Sequence, residues 1–136
     1  MSLRARLAGP VNGAPHWGLL VLRLWFGLVL AFGHGVGKIA NYEKFVAGVG
    51  GKHGIPLPEL TAPFAIASEF LGGILLAVGL FTRAAAVAII GTMFVVAFWV
   101  HGSDPFMKKE FALAYAVAAI VVLISGPGKY SLDARR

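Results

Sequence analysis

Between Ala84 and Val100 the chain runs without one charged residue, and this run restricts the fold more than any other feature. A helix on the surface of a soluble protein keeps a polar stripe at a period of about 3.6 residues; this run has none. A helix crossing hydrocarbon needs about 20 mostly apolar residues, and three further stretches approach that length. The first extends from Trp17 to about Ala40, interrupted by Arg23, His34 and Lys38, and the second from Pro63 to Phe81 with Glu69 as its only charge. The last is apolar from Phe111 to Ser125 and becomes long enough if it starts at Asp104-Pro105, which reads as an N-cap and a first-turn proline. The expected spans are about 17–40, 63–81, 84–101 and 105–125, in a single membrane domain covering residues 1–136.

Composition fits this reading: 58% of the residues are hydrophobic, 13% are charged, and the mean hydropathy is +0.80. The net charge of +6 suggests nucleic-acid binding only where a solvated basic face exists, and too little polar sequence remains to build one. With no cysteine, disulfides, thiolate metal sites and Cys-x-x-Cys redox chemistry are excluded within the chain. No Walker loop, His-Glu-x-x-His, Gly-x-Ser-x-Gly or dinucleotide fingerprint occurs, and no metal site is expected. A cleaved signal peptide does not fit a first run that contains Arg23 and lacks a small-x-small exit, so the first span is expected to be retained.

Tyr42, Phe45, Val46 and Val49 stand at i, i+3, i+4, i+7 in the first loop and predict a short interfacial helix, followed by a glycine-rich turn. Pro58 and Pro63 predict a helix start and a bend. Only Thr82 and Arg83 separate the second and third runs, so those helices are antiparallel neighbours and Thr82 reads as an N-cap. The fold class is an all-α integral membrane protein, an antiparallel four-transmembrane-helix bundle. Arg4, Arg6, Arg83, Lys129, Arg135 and Arg136 lie on one side, against Lys44, Lys52, Lys108 and Lys109 on the other. That bias predicts cytoplasmic termini.

This topology brings His34, Lys38, Glu69, His101 and Glu110 to the outer half of the bundle. At 100° per residue, Arg23 and His34 fall within about 20° of one direction, with Lys38 about 40° further on and Arg23 about 16 Å deeper than His34. An unpaired charge at the bilayer centre costs at least about 2.5–3.5 kcal/mol, so Glu69 and Glu110 are expected to face inward and pair with that basic stripe. Gly72 and Gly73, beside Glu69, would admit a helix or ligand closely. The residues leave other roles open: Arg23–Glu69 as an ion pair fixing helix register, Lys38 snorkelling, His34 and His101 as interfacial histidines rather than haem or metal ligands. Trp17, Tyr42, Phe45 and Trp99 read as interface-belt residues, and Lys108 and Lys109 as headgroup anchors. A short echo between Ala31-Phe32-Gly33-His34-Gly35 and Ala97-Phe98-Trp99-Val100-His101-Gly102 fits two hairpin repeats.

Leu22-Arg23-Leu24, His34-Gly35 with Lys38, Gly54-Ile55-Pro56, Glu69 with Gly72-Gly73, Gly79-Leu80-Phe81-Thr82-Arg83, His101, and Gly126-Pro127-Gly128 through Ser131-Leu132-Asp133 occur in this order. Over about residues 17 to 134 the chain resembles the DoxX family. The resemblance implies a four-helix protein of the bacterial cytoplasmic membrane, associated with redox systems such as the membrane part of thiosulfate:quinone oxidoreductases. The expectation is a redox-associated membrane subunit of an oxidoreductase complex, not an enzyme alone. Arg23, His34, Lys38, Glu69, His101 and Glu110 are its candidates for binding a quinone or another small lipophilic ligand, or for proton exchange, and haem is less favoured. Membrane lipids, soluble redox proteins and further copies of the chain are the expected partners, nucleic acid is not. A non-catalytic assembly or chaperone-like module and a small proton-coupled transporter are the alternatives.

Overall fold

The computed structural model describes residues 13–136; Arg4 and Arg6, counted above for orientation, lie outside the described residues. The described residues are helical without a strand, in the order α1 (Ala14–Ala40), a short α2 (Tyr42–Ala47, continued by Gly48–Lys52), α3 (Pro58–Val78), α4 (Thr82–Val100) and α5 (Phe106–Ser125). The helices α1, α3 and α4 are long and apolar enough to cross a membrane. The 20-residue α5 carries Lys108, Lys109 and Glu110 near its start.

Local chemistry sets most boundaries. Proline occupies the first turn of α1 and of α3, where its missing N–H has no helical partner to lose. The α3 helix therefore begins at Pro58, five residues before the run counted from Pro63, and Pro63 lies inside it. Its other end comes earlier than the apolar run suggests. Gly79 turns left-handed at φ 73, and Leu80 N–H donates to Leu75 O at 3.0 Å, a Schellman-type stop. The connection to α4 is thus Gly79–Phe81, and Thr82 and Arg83 are already helical, which corrects the turn expected at Thr82-Arg83. Asp104 also departs from its expected capping role: its carboxylate meets His101 Nδ1 at 2.7 Å, and α5 begins without a side-chain cap.

Two hairpins follow. Within the first, α1 and α3 touch backbone to backbone: a Cβ on Gly27 would lie 2.5 Å from Gly73 O, and one on Gly73 would lie 2.6 Å from Gly27 O. Gly73 thus makes the close approach foreseen for it, whereas a Cβ on Gly72 would find ordinary contact with Ile89 at 3.5 Å. Within the second, α4 and α5 meet through buried Ala86, Ala97, Ala112, Ala116 and Ala119. Lipid tails are as apolar as these side chains, so close packing of small residues and polar contacts hold such helices together. The hairpins join through the stretch from Glu69 to the chain termini, where α3 packs on α4 and α1 on α5; toward the loops, α1 stays with α3 and α4 with α5 while the pairs part.

The C-terminal segment ties the closed end. Arg23, 1% exposed, donates from Nη1 to Pro127 O and from Nη2 to Tyr130 O, the latter at 2.8 Å. Leu132 and Asp133 N–H groups donate to Val78 O and Gly79 O at 3.2 and 2.8 Å. The Asp133 carboxylate accepts from Phe81 N–H at 3.0 Å, Thr82 N–H at 2.9 Å and Thr82 Oγ1 at 2.6 Å. The cap of α4 therefore comes from the far end of the chain, which corrects the N-cap role read for Thr82. Phe81 is left-handed at φ 47, a conformation unfavourable for a bulky residue that its bond to Asp133 helps to hold.

The Thr82 hydroxyl bonded to it, followed by the Thr82 and Phe81 N–H groups and Arg136, holds the Asp133 carboxyl below its ordinary range, against a smaller opposing effect of desolvation. A lowered folded-state pKa gives stability that is full above the unfolded carboxylate value and is lost as pH falls through the folded value. Asp133→Ala is expected to cost about 0.5–2 kcal/mol, the usual range for an N-cap, and to flatten the loss of stability below about pH 4. Thermal unfolding in detergent at pH 7 and pH 3 measures both. Gly27→Ala should destabilise by about 1–3 kcal/mol through overpacking, whereas Gly91→Ala, which meets nothing within 4 Å, should not.

Candidate functional site

The parting of the hairpins leaves a cavity of about 870 Å³, walled by all five helices and the first loop. Its volume falls within the range of small-molecule sites, about 300–1,000 Å³. The wall is largely apolar, with Leu30, Phe64, Val96, Phe111 and Trp99 among its members.

Each of the three apolar spans changes its hydrogen bonding beside this cavity. Residues Val29–Gly35, Ala67–Leu71 and Val96–Val100 adopt the wider i→i+5 turn, a feature frequent at functional sites in other proteins. His34 and Glu69 lie in the first two of these segments, and His101 directly follows the third.

Glu69 is 2% exposed and accepts from Lys38 Nζ, whose side chain is 25% exposed. The Lys38 ammonium also stands 5.1 Å from the centroid of the Phe45 ring on α2. An ion pair on a cavity wall is desolvated on one side, and the cation–π contact offsets part of that cost. His34 packs edge-on against Tyr115 of α5, with centroids 5.5 Å apart. His101 closes α4 and holds Asp104. The Asp104 carboxyl lies below its ordinary range chiefly through the His101 bond, with Lys108 and Lys109 adding to it and desolvation opposing.

His34, Lys38, Glu69 and His101 thus share one cavity wall, and two expected members do not. Arg23 lies outside the wall and binds the tail carbonyls, so it does not pair with Glu69. The reason is depth along the helix pair: the Arg23 guanidinium lies against Gly79 at the end of α3, where a Cβ on that glycine would stand 3.1 Å from Arg23 Cζ, ten residues from Glu69. Glu110 is exposed and outside the wall; about one turn into α5, it lies at the helix end, where solvation removes the need for a partner.

Several wall residues were not legible as candidates. Tyr115 is the single phenol in the apolar stretch of α5 and is buried at 8% exposure. Its hydroxyl in a run of Ala, Leu and Val was a signal of a kind. Thr92, 6% exposed, lines the cavity, and its Oγ1 is buried without a hydrogen-bond partner. His53 also lines it, and its carbonyl accepts from Trp99 Nε1 at 3.0 Å, pinning the first loop to the end of α4. Trp99 is thus a tether as well as an exposed aromatic. Among the described residues, no group of three or more His, Cys, Asp or Glu side chains could hold a metal ion.

Comparison with known proteins agrees with the family read from the motifs. A family model described as DoxX matches residues 18–102. The chain is similar to the inner membrane protein YqjF of Escherichia coli (strain K12), at 30% identity over 126 residues, covering 85% of this chain and 89% of that protein. No solved structure matches the chain.

Removing one member of the Lys38–Glu69 pair leaves the other desolvated, whereas removing both does not. Lys38→Met and Glu69→Leu are each expected to lower stability by about 2–3 kcal/mol, below the roughly 3–5 kcal/mol of a fully buried pair because Lys38 is partly exposed. The double variant should recover at least half of the summed loss in thermal unfolding.

Proposed function

Because this chain belongs to the DoxX family of membrane proteins, we propose that it is a redox-associated membrane subunit that holds a quinone or another small lipophilic molecule in the cavity between its hairpins. In this reading α5 crosses the bilayer with the other three long helices, making a four-helix bundle. Its 20 residues rise about 30 Å at 1.5 Å each, enough to cross when the side chains of Lys108, Lys109 and Glu110 in its first turns reach outward to the headgroups. The membrane is the bacterial cytoplasmic membrane, and both termini face the cytoplasm, on the side where Arg83, Lys129, Arg135 and Arg136 gather. Electron donors or acceptors are partner proteins, since a chain without cysteine cannot carry electrons on thiols.

The observation that supports the reading is the Lys38–Glu69 pair set in the wall of an otherwise apolar cavity. Ligand sites combine an apolar lining with a few placed polar groups, and this one offers an ammonium, a carboxylate and the phenol of Tyr115. Lys38 donates to a carbonyl or other head oxygen, and Glu69 exchanges a proton with the head.

Extraction of the purified protein followed by mass spectrometry tests this. The expected outcome is a quinone or other lipophile retained above its share of the surrounding lipid, and reduced about tenfold or more in Lys38→Met, as for loss of one charge-assisted hydrogen bond. Retention no greater than bulk lipid in the wild-type protein overturns the proposal.

A further inference from the structure

The charges around the cavity are unequal in number, and this bears on the head that it selects. Lys38 of α1 and Lys108 of α5 line it, with the imidazoles of His34, His53 and His101 beside them, and among the described residues Glu69 of α3 is the only carboxylate in the wall. Glu69 is bound to Lys38, and Asp104, outside the wall, engages His101. Among the described residues Lys108 has no carboxylate within ion-pair distance. Lys108 therefore adds a positive charge that no carboxylate of the described residues pairs, which disfavours cationic heads.

An anion that enters as such meets an obstacle. Pairing with Lys38 takes that cation from Glu69, which is 2% exposed, and a buried carboxylate without a counterion is costly. A protonated acid avoids this. Its O–H bond breaks, the proton forms a new O–H bond on Glu69, and the resulting ligand carboxylate pairs with the Lys38 ammonium. The wall begins and ends with one cation and one anion, so the exchange changes no net charge in the low-dielectric cavity. Lys38, a quarter exposed on a flexible stem, supplies the movement, while Glu69 stays in place.

The body of the ligand has its own route. Leu60 and Phe64 of α3 and Gly91, Val95 and Trp99 of α4 line the cavity and are exposed. A Cβ on Gly91 would meet nothing within 4 Å. This exposed lining makes the seam between α3 and α4 the entry route consistent with the parting of the hairpins. The cavity volume of about 870 Å³ suits one small molecule.

We propose that this cavity selects a single-chain lipophilic carboxylic acid, which enters between α3 and α4 and exchanges its proton with Glu69 to pair with Lys38. The proposal rests on the reading of the cavity as a lipophile site and narrows its ligand class. Binding of palmitic acid, methyl palmitate and a long-chain quinone to the full-length protein in nanodiscs tests it, with native mass spectrometry as the readout. Palmitic acid is expected to bind at least tenfold tighter than its ester. That preference should vanish in Lys38→Met, persist in the charge-preserving Lys38→Arg, and increase in Glu69→Gln, where Lys38 is freed. Equal binding of acid, ester and quinone, a preference unchanged in folded Lys38→Met, or displacement of palmitic acid by phosphatidylglycerol as effectively as by itself overturns the acid exchange and leaves the lipophile reading standing. Binding of none of the three probes overturns both.

Discussion

The buried guanidinium of Arg23 is the constraint on which the arrangement of the helices turns. An arginine 1% exposed within the first apolar span must find acceptors, since hydrocarbon supplies none. It finds them in the carbonyls of Pro127 and Tyr130, more than one hundred residues away. The same carbonyls, in a tail without regular structure, need a donor just as strongly. The two Nη groups and the two carbonyls satisfy one another, with Arg23 Nε left unpartnered, and the C-terminal segment is thereby fixed across α1 and the end of α3, where Asp133 reaches the start of α4.

A closed end makes an open one tolerable. With the hairpins joined from Glu69 to the termini, they can diverge toward the loops without the bundle losing cohesion, and the space between them is the cavity. Within each pair the contact stays tight: Gly27 and Gly73 bring α1 and α3 to backbone contact, and buried alanines pack between α4 and α5. The wider turns lie at the level where divergence sets in. They reorient His34 and Glu69 relative to a regular helix, and the Trp99–His53 bond keeps the first loop across the mouth.

Much of this was legible in the residues. The uncharged run from Ala84 to Val100 required a long apolar helix, and the i, i+3, i+4, i+7 pattern from Tyr42 required a short amphipathic one. The placement of His34, Lys38, Glu69 and His101 toward one end followed from alternating helix direction alone. The errors have a common origin. Glu69 as one reading for Arg23, a cap from Thr82 for its own helix and from Asp104 for α5 all follow from pairing a polar group with the nearest partner along the chain or with the opposite charge at hand. Backbone carbonyls of a distant tail carry no such signature.

The sequence by itself determined the helices, their approximate ends, their apolar surfaces and the membership of the family, since these depend on local composition and short-range hydrogen bonding. Tertiary structure decided which polar groups meet. Arg23 and Asp133 became fasteners and Lys38–Glu69 the polar feature of a cavity, because satisfying a buried charge depends on distances between segments remote in sequence, and only the packed chain brings those segments together.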